Sequence, residues 1–250
     1  MADDQFHVWE GLFESFREAE AYGKGFADDE WVERVRDRLV ELRRAPDLER
    51  AAVHEYLLPG LVAAVSQPGQ TLTVVDFAGG VGIEYEQVRA ALGEQVSLSY
   101  HVVDQPEVCE AGRELHAGDD AIRFHSDLDS LPAGADVVHV GSALQYFDDW
   151  PVLVARLAQL VPQRFLLSDL YAGTFDSFVT LQNLYGSRVP FRFLNIDEVV
   201  EAFAGAGYEL VLRTRYYRRV LGKLGPLPME NFEASRRLDY PSHLMFRPGV

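Results

Sequence analysis

The chain has 250 residues, 48% of them hydrophobic, 12% aromatic and 25% charged, which is the composition of a folded chain with a large core and excludes a disordered or fibrous one. Acids outnumber bases by 39 to 23, for a formal charge of −16. Binding a polyanion needs clustered cations, so nucleic acid is not an expected partner. The charge is uneven, −7 over residues 1–70, −11 over 71–170 and +2 over 171–250.

A single cysteine, Cys109, excludes an internal disulfide and any multi-thiolate metal site, and the seven histidines show no ligand spacing, so no metal is expected. The start lacks the basic and apolar regions of a signal peptide, and the longest apolar run, residues 56–65, is broken by Pro59 and Gly60. The expectation is a cytoplasmic protein with no membrane partner.

In chain order, residues 1–70 read as a helical extension. Asp28 or Asp29 caps a segment whose Trp31, Val35, Leu39 and Leu42 share one face, with Pro46 past its end. From residue 71 the pattern changes to β-rich runs at 72–77, 97–103, 121–125, 136–140 and 165–170, alternating with amphipathic stretches at 85–92, 107–115 and 151–160. Strand and helix in alternation predict an α/β parallel sheet. After Asp169 the rhythm breaks into an aromatic and polar segment, 171–193, of which residues 178–192 are read either as a substrate-binding edge or as a connecting helix and turn. A helix at 197–206 and strands at 208–216 and 243–246 follow, and such a final pair often supplies an antiparallel edge strand.

The segment Val74-Val75-Asp76-Phe77-Ala78-Gly79-Gly80-Val81-Gly82 sets a strand, an acid and a glycine-rich turn before a helix, where doubly wound sheets bind nucleotide-type ligands. Asp104 ends the next strand, where a carboxylate can take both ribose hydroxyls. A dinucleotide site wants G-x-G-x-x-G, and this loop reads D-x-A-G-G-x-G. S-adenosylmethionine (SAM) carries a cation instead of a pyrophosphate, which suits the acidic block around the loop.

These residues carry a resemblance. VVDFAGGVG, YHVVDQPEV and ADVVHVGSALQYF resemble the first, second and fourth motifs of class I SAM-dependent methyltransferases, the first two being closest to small-molecule O-methyltransferases. WEGLFESFREAEAYGKGF, SALQYF and FVTLQNLYGSRVPFRF resemble an uncharacterised bacterial family of methyltransferases over nearly the whole chain. The resemblance implies a doubly wound, mostly parallel seven-stranded Rossmann-like sheet with an antiparallel last strand, so that residues 71–250 form the methyltransferase domain. It also implies SAM as cofactor and a small-molecule acceptor methylated on oxygen or nitrogen. A sugar or glycan precursor as acceptor, or a SAM-binding protein without catalysis, stays open, as does a homodimer.

Carried over by position, Asp76, Gly80 and Gly82 shape the methionine pocket, Asp104 holds the ribose and Asp127 faces the adenine amine. Gly79, Gln105, Leu128, Gly141 and Ser142 complete the cofactor set with Ala78, which stands where the family usually has glycine. A methyl group there either crowds the cofactor or marks a negative φ. Gln145 falls where the O-methyltransferases keep a catalytic histidine, and an amide accepts no proton at neutral pH. Either the acceptor needs little deprotonation, or Tyr146 or His139 is the base, or Gln145 only packs. Gln182, Asn183, Tyr185 and Arg188 are the substrate-binding candidates. Arg188 and Arg192, four residues apart, would bind an acidic acceptor together or else neutralise acids such as Asp197 and Glu198.

Overall fold

The structure, a computed structural model, describes residues 6–46, 57–92 and 96–249. The N-terminal part gives strand β1 (Trp9–Phe13) and helices α1 (Asp29–Arg44) and α2 (Leu58–Val65). The expected helical extension is therefore corrected at its start, where residues 9–13 are extended; residues 47–56 lie outside the description. Asp28 caps α1 by accepting a hydrogen bond from the Glu30 amide, which satisfies one of the unpaired first-turn donors.

From residue 71 the alternation appears as β2 (Thr71–Phe77), α3 (Ile83–Leu92), β3 (Ser97–Val103), α4 (Pro106–Leu115), β4 (Ile122–His125), β5 (Val137–Gly141), α5 (Trp150–Ala158) and β6 (Arg164–Leu170). Then come β7 (Ala172–Gly173), β8 (Phe178–Leu184), β9 (Ser187–Asn195), α6 (Ile196–Gly205), β10 (Tyr208–Arg215), a ribbon of β11 (Arg219–Val220) and β12 (Lys223–Leu224), and β13 (Ser242–Pro248).

The main sheet has seven strands in the order β10-β13-β6-β5-β2-β3-β4. Neighbours from β6 to β4 are parallel, and β13 is antiparallel to both β6 and β10. The last strand thus runs antiparallel as expected, but inside the sheet, and β10 takes the edge position. Alternation along the strands sends Val75, Phe77, Val138 and Val140 into one core with Leu153 of α5 and Phe203 of α6. Leu72, Val74 and Tyr100 enter the other core with α2, α3 and α4. Both faces are covered, which is why these strands read as near-continuous apolar runs.

The segment 178–192 is not a connecting helix. It supplies most of a second sheet, β1-β8-β9-β7, in which β8 pairs antiparallel with both β1 and β9. Its core is aromatic: Trp9, Tyr171, Phe178, Phe191, Phe193 and Phe232 pack mostly edge to face or tilted, with Phe178 and Phe193 stacked. The β8–β9 turn is Tyr185-Gly186, both at positive φ (41° and 78°), the conformation a two-residue hairpin demands. Among the described residues no helix is long and apolar enough to cross a membrane.

Candidate active site

A cleft of about 1950 Å³ opens at the carboxyl ends of β2, β3, β5 and β6, with α1 and the β8–β9 hairpin on its outer wall. Open α/β sheets bind ligands at that edge because the loops there diverge. Of the cofactor candidates, Ala78, Gly79, Gly80 and Asp104 line it beside one another. Gln105, Asp127, Leu128, Gly141 and Ser142 continue the wall.

The glycine loop is held from below. The Asp104 carboxylate accepts from the Gly80 amide (2.9 Å) and the Gln105 amide (2.7 Å), joining the ends of β2 and β3. Burial raises its pKa against the pull of those two amides. A Cβ at Gly79 would lie 2.5 Å from Asp76 Oδ2, so only glycine fits there, whereas Gly80, at φ 60°, faces open space on the ligand side. Ala78 has φ 56°, which rules out the negative φ that its methyl group suggested; its amide donates to Val103 O at 2.7 Å and fixes the strained turn.

Asp76 and Gly82 stand behind this wall. Asp76 is fully buried and accepts from Tyr100 Oη (2.8 Å), while His139 Nδ1 lies 2.7 Å from its other oxygen. His139 Nε2 lies 3.0 Å from Ser168 Oγ, and the ring is wholly inaccessible. Burial opposes a charge on His139, but the Asp76 carboxylate outweighs it and raises the pKa. The histidine proposed as base is therefore a sealed structural link between β2, β5 and β6. Glu84, in the first turn of α3, lines the cleft. Burial and the nearby Asp76 push its pKa up to about 7.

Asp127 accepts from the Ser130 amide (2.8 Å) in a turn on the cleft wall, and Asp129 pairs with Arg156 (2.7 Å). Gln145 lies in a single 3-10 turn, Leu144–Tyr146, and is fully buried away from the wall. Its Nε2 donates to Ser142 Oγ at 3.4 Å and its Oε1 has no protein partner. Of the three catalytic candidates only Tyr146 reaches the cleft. Its hydroxyl donates to Gln182 Oε1 (2.7 Å), and burial raises its pKa, so the phenol keeps its proton at neutral pH.

The substrate candidates Gln182, Asn183, Tyr185 and Arg188 all line the outer end. Arg188 is committed to Glu10 (3.2 Å) and Asn183 Oδ1 (3.1 Å), and Tyr185 lies beneath the Arg34 guanidinium, 4.3 Å from its ring centroid. Arg192 pairs with Asp148 (2.6 Å) and packs over Phe16, off the cleft wall. The two arginines do neutralise acids, but not Asp197 or Glu198.

Sequence reasoning missed three contributions. Phe26 and Trp31, the latter assigned to the apolar face of α1, form an aromatic wall with Tyr146 and Tyr185. Asp169, at φ 52° on the end of β6, is ion-paired with Arg218, whose Nη1 also donates to Tyr171 Oη (2.7 Å). Only Asp169 carried a signal, as an acid closing an apolar strand; Arg218 lies in a stretch without periodicity.

This topology is a mostly parallel, Rossmann-like fold of the kind seen in solved methyltransferases. Solved structures similar over most of the chain include three of differing function. A Haloferax volcanii complex of a methyltransferase with the Trm112 activator gives TM-score 0.54 at 17% identity, covering 87% of this chain and 95% of that one. Magnesium protoporphyrin IX methyltransferase from Synechocystis, with bound S-adenosylhomocysteine (SAH), gives 0.51 at 15%, covering 88% and 97%. A family 2 O-methyltransferase from Planctomyces limnophilus in complex with apigenin gives 0.51 at 19%, covering 89% and 62%. No protein-family model and no curated protein matches the sequence.

Proposed function

We propose that the chain is a SAM-dependent methyltransferase that moves a methyl group to an oxygen or nitrogen of a small molecule. The observation that carries this is the continuous wall from the Asp104-clamped glycine loop to the Asp127 turn, opening into a polar and aromatic outer end. Asp104 holds the ribose, the turn at Asp127 meets the adenine, and Gly80 gives the ligand access to bare backbone. Glu84 suits the positive charge of the methionine moiety. Bound SAM supplies an electrophilic sulfonium methyl, so the protein's share is to position the acceptor and exclude water. Residues 71–250 make up the catalytic domain, and residues 1–70 an extension whose α1 roofs the cleft.

The test is calorimetric titration with SAM, SAH and NAD, followed by transfer of label from methyl-SAM to candidate acceptors. Saturable binding of SAM and SAH without NAD is expected. Binding of NAD in preference to SAH would overturn the reading.

A further inference from the structure

Opposite α1, which brings both Asp37 and Glu41 and Arg34 and Arg38, one side of the outer wall has a charge sign of its own. Residues 21–26, the β8–β9 hairpin and residues 218–221 place Lys24, Arg188, Arg218 and Arg219 on it, and among the described lining residues of those segments there is no acid. Around the glycine loop, by contrast, the wall carries Glu84, Asp104 and Asp127. Three of the four outer cations have partners, Arg188 with Glu10, Arg219 with Gly222 O (3.2 Å) and Arg218 with Asp169.

Arg218 is different because it is anchored from behind. Asp169 and Tyr171 both take hydrogen bonds from Nη1, which uses the two hydrogens of that nitrogen. The guanidinium fork carries three more N–H donors on Nε and Nη2, and the side chain is 33% exposed on the cleft wall. A fixed, partly desolvated guanidinium recognises paired oxygens better than a mobile surface arginine does. Meanwhile no group stands ready to take a proton from an acceptor at this end: the Asp169 carboxylate is engaged with Arg218, and Glu84 belongs to the glycine-loop end of the cleft. His139 is sealed, Gln145 is an amide buried off the wall, and the Tyr146 phenol stays protonated.

We propose that the acceptor is an oxygen acid already ionised at neutral pH, a carboxylate or an acidic phenol on a flat apolar body, and that Arg218 binds the anionic oxygen that takes the methyl group. The inference rests on the methyltransferase reading. An oxygen that arrives ionised forms its bond to the methyl carbon as the carbon–sulfur bond breaks. The bonding pair stays on sulfur and no proton is released, so no base is required. The flat body lies against Phe26, Trp31 and Tyr146, whose rings meet edge to face or line the same wall.

The experiment is calorimetric titration of the SAH-saturated protein at neutral pH with two anions, benzoate and 4-nitrophenolate, and with benzamide and phenol as their uncharged counterparts. At least one anion is expected to bind about tenfold more tightly than its counterpart, the effect of a charged hydrogen bond, and the arm that does so separates carboxylate from phenolate. Arg218→Gln alone strands the buried Asp169 carboxylate, so the Asp169→Asn/Arg218→Gln double variant, which removes both charges, is the control. It is expected to lose the preference for anions while still binding SAH. Equal binding of anions and neutral probes, no binding of either anion, or a preference that survives in the double variant would overturn the proposal. Failure of SAH to bind the wild-type protein is a separate result, which overturns the cofactor reading beneath it.

Discussion

On the proposed reading, Asp104 does two jobs with one carboxylate. Its bonds to the amides of Gly80 and Gln105 set the loop before a ligand arrives, and its position on the wall leaves lone pairs for a ribose. Asp104→Ala should therefore weaken SAH binding by about 1.5–3 kcal/mol, the range for hydrogen bonds to a charged group. Asp104→Asn should lose less, because the amide oxygen still accepts one bond. Calorimetry giving wild-type affinity for Asp104→Ala would remove this residue from the site. The same edge concentrates unusual backbone: Ala78, Ser142 and Asp169, all at φ between 51° and 56°, sit at the ends of three adjacent strands and line one cleft. Left-handed conformations in L residues cost roughly 1–2 kcal/mol each, so the surrounding structure must hold them in place.

At the scale of elements, the β8–β9 hairpin is what turns a bare sheet edge into an enclosed cleft. Gly186 has φ 78°, and a Cβ there would meet nothing within 4 Å, so a substitution tests backbone conformation alone. Gly186→Val should destabilise the fold by about 1–2 kcal/mol, and Gly186→Asn by much less, since asparagine tolerates this region. Thermal unfolding of the two variants checks the difference. The central α/β unit was legible in the sequence because buried parallel strands and amphipathic helices each leave a period. The hairpin was not, because β8 buries apolar residues on both faces, Phe178 in the aromatic core and Val179 and Leu181 against Ala19, which blurs the strand period, and its turn is Tyr-Gly and not the commoner Asn-Gly. β1 was missed for a related reason: Trp9–Phe13 is short, and what makes it a strand is pairing with β8, about 170 residues away. That Ala78, Gly79, Gly80 and Asp104 share one wall could be read from strand ends and spacing. Arg218 could not, since its role depends on contacts with Asp169 and Tyr171 made across the fold.

Across the whole molecule, two groups, buried His101 and cleft-lining Glu84, pull stability in opposite directions with pH. Burial, helped by its neighbour His125 at 2.9 Å, lowers the His101 pKa from 6.5 to about 4. Between those values the unfolded chain holds the extra proton, so stability falls as pH drops from 6.5 towards 4. For Glu84 the native pKa is about 7 against 4.5 when unfolded, so the folded chain holds the extra proton and stability falls as pH rises through that window. Between pH 4.5 and 6.5 the two slopes oppose each other. Glu84→Gln should unmask the histidine, steepening the loss of stability on acidification by about 1.4 kcal/mol per pH unit, one proton's worth. Denaturant unfolding across that range checks it; parallel curves for wild type and variant would show that Glu84 titrates normally.

The place of β13 sets a timetable. Residues 242–248 are inserted between β6 and β10, so β6 has its full complement of backbone partners only when a strand roughly seventy residues downstream arrives. At about 5–20 residues per second of synthesis, a nascent chain carries that bare edge for roughly 4–15 seconds. During the same interval Asp169, at the end of β6, lies beside an unfinished sheet. An open parallel-sheet edge of apolar residues is a template for pairing with other chains. The step most exposed to aggregation is therefore the wait for the last strand, and a chaperone that shields β6 in that interval would protect the sheet and the floor of the cleft together.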